Sequence, residues 1–428
     1  MCERVLCEAM PGSDAHASAD AVAVIGGGVV GCAVAHALAR RGVRALVLEA
    51  QAELATGASA TNSGILHTGF DSGAGELETQ LILRAAQLRE ELLDELGLEV
   101  WRCGARLRPR DDEERTAVAR LAENAARNGV EAVLERDGSL SVPGETVSDP
   151  LAFVWALASA ARAGGASVRL RARVSGLQRE GGDALAVTLE DGERMVVRAA
   201  VNCAGLHADE VALMAGEEPA SIYPRKGEFL VFEAPTEEPL GEILLPVPSS
   251  LGKGVLVFPT LDRRFVIAGP TAREREDKRD WSVEADAREL ILGRASAMWP
   301  ALAHAREAGS YAGLRPAGRE GANYVIERSR TLPGLIHVAA IRSTGLSASL
   351  AIGEHVLDML ASDRLVEPGE VRALPAQTQP RAHGAPWWRW GTRHRDARPP
   401  AAPEPAASTP AASTPAGHGP DLTGQGER

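Results

Sequence analysis

Cysteine is scarce and never paired by spacing. Cys2, Cys7, Cys32, Cys103 and Cys203 form no C-x-x-C, and no histidines cluster at zinc spacing. A disulfide framework, a zinc site and an iron–sulfur centre are excluded on that ground. Cys32 and Cys203 read as small buried side chains. Positive charge is also short: 46 Lys and Arg stand against 58 Asp and Glu, a net charge of −12. That balance argues against a nucleic-acid partner, and an anionic substrate must be met by locally placed cations. No uninterrupted apolar run reaches membrane-spanning length, and Met1–Asp20 lacks the apolar centre of a signal peptide, so a soluble, cytoplasmic enzyme is expected. Residues 1–20, polar and patternless, read as a disordered leader.

What the chain does have begins at Ala21–Glu49, AVAVIGGGVVGCAVAHALARRGVRALVLE. Val22, Val24 and Ile25 belong to a short buried parallel strand. Gly26, Gly28 and Gly31 match G-x-G-x-x-G: the first permits a tight turn, the second lets a pyrophosphate approach the backbone, and the third lets a helix pack on the sheet. The helix N-terminus offers free N–H groups to that anion. Glu49, about 20 residues on, is placed to accept hydrogen bonds from a ribose and to repel a 2′-phosphate. The fingerprint alone does not separate FAD from NAD.

Ala55–Asp71, ATGASATNSGILHTGFD, is too glycine-rich for a regular helix. Its Ser59, Thr61, Asn62 and Ser63 can lie close to a bound cofactor. A helix with a leucine stripe spans Leu77–Leu96, an acid-started helix spans Asp111–Asn128, and Ser148-Asp149-Pro150 caps a third helix running to Ala163. Val168–Val174 reads as a strand, and Asp191-Gly192 as a hairpin turn. Val201–Gly205 ends a strand beside a glycine, a second backbone approach to the nucleotide. From Tyr223 to Ala268 the pattern is β-rich and antiparallel, which suggests a separate substrate domain. Arg342–Ser347 leads from a strand into a helix, again presenting N–H groups. Beyond Pro375, Pro, Ala, Ser and Thr dominate, including a doubled AASTP, so a disordered tail is expected. Its oddity is Trp387, Trp388, Arg389, Trp390, Arg393, His394 and Arg395, a cluster that suits a partner, a membrane surface or packing back on the chain's own domain.

IGGGVVGCA, TNSGILHTGFD, NCAGLHADEVALMAGE, YPRKGEFLVF, LGKGVLVFPT, VIAGPTA, YAGLRPAG and IRSTGLSAS occur in that order. Together they resemble the FAD-dependent glycerol-3-phosphate dehydrogenase and oxidase family, within the D-amino-acid-oxidase-like flavoproteins, over residues 20–362. The resemblance implies an α/β fold: a Rossmann-type FAD-binding domain with an interleaved, mostly antiparallel β substrate domain, of glutathione-reductase-like topology. The implied division is 21–97, 148–218 and 310–365 for FAD, 98–147 and 219–309 for substrate, and 375–428 for the tail. It further implies His67 as the base at the substrate carbinol, Lys253 and Arg315 as substrate-site cations, and Gly345, Leu346 and Ser347 as flavin contacts. Val174 and Gly205 join the cofactor contacts. Thr344 and Leu350 stand where prolines are usual, and a cysteine-rich C-terminal domain found in some relatives is replaced by the tail.

Chemistry agrees with this assignment. Alcohol oxidation needs a base for the O–H proton, and an unperturbed imidazole, with a pKa of about 6.5, is mostly neutral at pH 7. A phosphate monoester needs paired cations, for which Arg315 offers a planar fork and Lys253 a point charge. Arg225, Lys226 and Arg342 are further candidates. The expected reaction is oxidation of glycerol 3-phosphate, or a similar small polar substrate, to the ketone. L-2-hydroxyglutarate-type oxidation, amine oxidation and a binding module that has lost catalysis are the alternatives. The electron acceptor, oxygen or a quinone, stays open, as does membrane association.

Overall fold

In strand Val22–Ile25, Val22 and Val24 turn to one side and Ala23 and Ile25 to the other, and all are buried because both faces of the sheet are covered. The computed structural model describes residues 19–218, 221–248, 254–376 and 386–396. Around that strand lies a six-stranded sheet in the order Val325–Arg328, Leu335–Ala339, Ala199–Asn202, Val22–Ile25, Ala45–Leu48, Ser167–Arg169. Every pairing is parallel except that of the edge strand Val325–Arg328. Helices Val29–Arg40, Pro150–Ala163 and Gly345–Ser362 share the core of Val22, Val24 and Val47. On the other face, strands Val174–Arg179, Leu185–Leu189 and Arg194–Val197 form a small antiparallel sheet that packs Val174, Leu177 and Val187 with Ile25 and Leu48.

The second large sheet is nine-stranded and mostly antiparallel. Its long strand Ile222–Glu233 pairs with the edge strand Glu307–Gly318 on one side and with Phe265–Gly269 on the other. Leu230 and Phe232 pack with Ile291 and Ala295 of helix Ala285–Met298, while Phe229, Val231 and Tyr311 face the main core shared with the nucleotide half. Strand Ile65–Leu66 pairs with Thr146–Ser148, which brings the His67 segment beside Glu145.

Three expectations change. The strand expected at 168–174 is two strands, Ser167–Arg169 and Val174–Arg179, because Arg171 has φ +54° and its N–H donates to the Gln51 carbonyl (2.8 Å). Residues 310–318 belong to the second sheet rather than to the nucleotide half, since Glu307–Gly318 pairs along its length with Ile222–Glu233. Within the tail expected to be disordered, Trp388–Asp396 is a helix, and Trp387 and Trp388 are buried. Three indoles within four residues supply enough apolar surface to seat one short helix despite the composition around it. Residues 1–18, 377–385 and 397–428 lie outside the described residues.

Candidate active site

The glycine turn is fixed by contact distances. Gly26 has φ +110°, and a Cβ there would lie 2.5 Å from the Cys203 carbonyl oxygen; one on Gly31 would lie 2.0 Å from the Gly26 carbonyl oxygen. Neither position has room for a side chain. Gly28 caps helix Val29–Arg40 with no side-chain bond of its own, and Ser59 Oγ accepts from the Val29 N–H (2.9 Å). Glu49 accepts from the Gly27 N–H (2.7 Å) and the Gln51 N–H (2.8 Å), so the backbone sets the direction of its carboxylate.

Helix Gly345–Ser362 starts beside this turn: a Cβ on Gly345 would lie 4.0 Å from Val30 Cγ2. Neither helix has an acid in its own first turn, and two positive helix ends stand side by side; the carboxylates beside them are Glu49, on the Gly27 N–H, and Glu78, on Thr344 Oγ1. The first end fits a dinucleotide pyrophosphate, and the second, tied through Ser347 to the His67 segment, fits the flavin end of the same cofactor. Gly205, with φ +57°, opens the short turn Gly205–His207 after strand Ala199–Asn202. The Val174 side chain is in the core, which leaves its backbone for any ligand.

In the Ala55–Asp71 segment, Thr61 Oγ1 donates to the Ala58 carbonyl (3.3 Å), Asn62 Oδ1 accepts from the Gly64 N–H (2.9 Å) and Ser63 Oγ accepts from the Ile65 N–H (3.4 Å). These bonds shape the loop that ends at His67. The His67 N–H donates to Ser347 Oγ (2.8 Å), and its carbonyl accepts from Arg89 Nη2 (2.8 Å). Ser347, together with buried Gly345 and Leu346, therefore ties the start of the second helix to the histidine through its hydroxyl.

His67 Nδ1 lies 2.8 Å from Glu145 Oε2. A carboxylate only accepts, so a proton sits on Nδ1, and in the neutral imidazole Nε2 carries the lone pair. Glu145 is fully buried, and its Oε1 accepts from the Thr68 N–H (2.7 Å) and Thr68 Oγ1 (2.8 Å). Buried Arg89 holds the same segment; burial lowers its pKa to about 10, against the pull of Glu145.

Arg315 Nε donates to the Arg225 carbonyl (3.1 Å) and Nη2 to the Thr271 carbonyl (2.9 Å). Burial first, then the neighbouring Arg225 and Arg342 charges, lower its pKa to about 10. Arg225 is its cross-strand partner, and the buried Arg225 Nε has no hydrogen-bond partner among the described residues. Arg342 Nε donates to Asn323 Oδ1 (2.9 Å), and Glu78 Oε2 is 3.5 Å from its Nη2. Arg225 and Arg342 thus both act on the Arg315 charge, an arrangement suited to an anion. Lys226 is not part of it. The strand alternation points it to the opposite face, where its buried Nζ meets Asp280 (2.8 Å), Ser282 (2.9 Å) and Glu284 (3.4 Å). Lys253 lies outside the described residues.

Thr344, standing where the resemblance leads one to expect proline, donates from Oγ1 to Glu78 Oε1 (2.5 Å) and lies 2.9 Å from the Tyr324 hydroxyl. Hydrogen bonds rather than a pyrrolidine ring hold the loop before the second helix.

The sequence profile of the FAD dependent oxidoreductase (DAO) family matches residues 21–359. The chain belongs to that family. Glycerol 3-phosphate dehydrogenase of Caloramator mitchellensis is 30% identical over 355 residues, covering 79% of this chain and 73% of the relative. L-2-hydroxyglutarate dehydrogenase of Escherichia coli is 27% identical over 282 residues, covering 60% of this chain and 66% of the relative. Among solved structures, dithionite-reduced L-alpha-glycerophosphate oxidase from Mycoplasma pneumoniae with FAD bound superimposes with a TM-score of 0.76 at 23% identity, covering 84% of this chain and 99% of that one.

This FAD-dependent oxidoreductase would hold its cofactor with the glycine turn, Glu49 and the two helix ends. Bound there, FAD supplies the hydride acceptor. The residues that sequence reading missed are Glu145 and Arg89. Glu145 lies 78 positions from His67, and no local pattern links them.

Proposed function

We propose that the enzyme oxidises the secondary alcohol of glycerol 3-phosphate, or a closely similar small polyol phosphate, to the ketone. The observation that carries this reading is the His67–Glu145 pair: an imidazole held by a buried carboxylate with its basic nitrogen directed away from it. In this scheme His67 Nε2 takes the hydroxyl proton, and Glu145 stabilises the imidazolium that results. Arg315, with Arg225 and Arg342 around it, receives the anionic group, and Lys253 is a further cation for it. Oxygen or a quinone accepts the electrons. The glycerol 3-phosphate dehydrogenase relative supports the substrate assignment.

A dicarboxylate also suits clustered guanidiniums, and an L-2-hydroxyglutarate dehydrogenase is among the relatives, so 2-hydroxyacid oxidation is the second reading. Anaerobic mixing of the FAD-loaded protein with glycerol 3-phosphate, L-2-hydroxyglutarate or glycine separates them. Bleaching of the flavin's visible band by glycerol 3-phosphate is expected. Bleaching by one of the others alone overturns the first reading.

A further inference from the structure

The family match ends at residue 359, but the chain carries one more described helix, Trp388–Asp396. It and the preceding Trp387 touch three parts of the fold. Trp390 meets Trp155 of helix Pro150–Ala163 edge-on at 5.7 Å. Trp387 stands edge-on to Tyr311 at 5.8 Å and Trp388 to Phe265 at 5.3 Å, both partners lying in the second sheet. Gly391 closes against the cofactor segment: a Cβ there would lie 3.2 Å from Thr61 Cγ2 and 3.3 Å from Tyr311 Cβ.

The seat is shaped for this helix. A Cβ on Gly309 would lie 2.9 Å from Trp388 Cζ3, so the absent side chain makes room for the indole. Along strand Glu307–Gly318, alternation places Gly309, Tyr311, Gly313 and Arg315 on one face. Thr61 fills the space over Gly313, with Oγ1 2.7 Å from where a Cβ would be. Thr61 is thus held between the C-terminal helix and the strand that bears Arg315. Tyr311 Oη, Trp387 Nε1 and Trp388 Nε1 are buried without hydrogen-bond partners among the described residues. Unmet donors oppose seating, so apolar burial and shape carry it.

We infer that the C-terminal helix is a positioning element for the cofactor segment: it presses Thr61 against Gly313 and so keeps residues 55–71 in the form that retains FAD. The inference rests on FAD as cofactor and is independent of the substrate. Two proteins test it, one truncated after Ala376 and the full chain carrying Trp388→Ala. FAD dissociation constants are measured by flavin fluorescence, alongside the shape of the visible flavin band and the unfolding midpoint of the apoprotein. Both should bind FAD about tenfold more weakly, with an altered band. A synthetic peptide of residues 386–396 added in trans restores the truncated protein, and Trp388→Phe retains most of the wild-type affinity. If the truncated chain does not fold, Trp388→Ala decides alone. Wild-type FAD affinity and band shape in a folded variant overturn the inference. So does a lowered midpoint with FAD binding unchanged, which marks the helix as structural only.

Discussion

Replacing Glu145 with glutamine removes a charge while keeping shape, and its effect can be worked out atom by atom. The carboxylate accepts three hydrogen bonds, from His67 Nδ1 (2.8 Å), the Thr68 N–H (2.7 Å) and Thr68 Oγ1 (2.8 Å). In Glu145→Gln the amide oxygen stays with Thr68, because a buried backbone N–H needs an acceptor. The amide NH₂ then faces His67 Nδ1. A donor there forces the lone pair onto Nδ1 and the proton onto Nε2, so the nitrogen assigned as base can no longer accept. General-base catalysis contributes about 10²–10⁴-fold, which is about 3–5 kcal/mol of barrier. The flavin reduction rate with glycerol 3-phosphate, measured in an anaerobic stopped-flow instrument, should fall by that factor while FAD stays bound. Glu145→Ala also orphans the Thr68 N–H and should cost about 1–3 kcal/mol of stability in urea unfolding. Reduction of the Glu145→Gln enzyme at the wild-type rate would refute the role given to the pair.

Three further outcomes are expected. Arg315, with its pKa lowered to about 10 by burial and then by its arginine neighbours, loses its charge as pH rises through that value. KM for an anionic substrate should climb there, and Arg315→Ala should raise KM at neutral pH and abolish the climb. His36 is buried and its Nε2 has no hydrogen-bond partner among the described residues; burial, then Arg40, lowers its pKa from 6.5 to about 4. Its neutral form is the folded one, so the unfolded chain binds the proton more readily between those values. Stability should be full above pH 6.5 and fall by about 3 kcal/mol toward pH 4. His36→Leu should flatten that acid limb in urea titrations. At Gly353, where a Cβ would lie 2.6 Å from the Ala33 carbonyl oxygen, a leucine should drive the two nucleotide-side helices apart, costing about 1–3 kcal/mol and weakening FAD retention in a fluorescence titration.

Local chemistry was readable from the chain. The Gly26 turn, the Asp149-Pro150 helix start and the Asp191-Gly192 hairpin each depend on residues close together in sequence, and the structure has all three. Partners set by tertiary contact were not. Glu145 reaches His67 only because Thr146–Ser148 pairs with Ile65–Leu66, a register with no trace in either segment. The assignment of 310–318 failed for the same reason, since an alternating strand does not declare which sheet it joins. The helix at Trp388 was hidden by a proline- and alanine-rich setting, and its seat depends on the absent Gly309 side chain, 79 positions away by numbering (388 − 309).

The two helix ends that would face the cofactor stand far apart in sequence, one beginning at Val29 and the other at Gly345. A polypeptide still emerging from the ribosome has the first of them early, and its companion follows 316 residues later (345 − 29). A hold on FAD from both ends is therefore complete only once Gly345 has been translated. A fragment that stops short of Gly345 keeps one of the two ends and lacks the other.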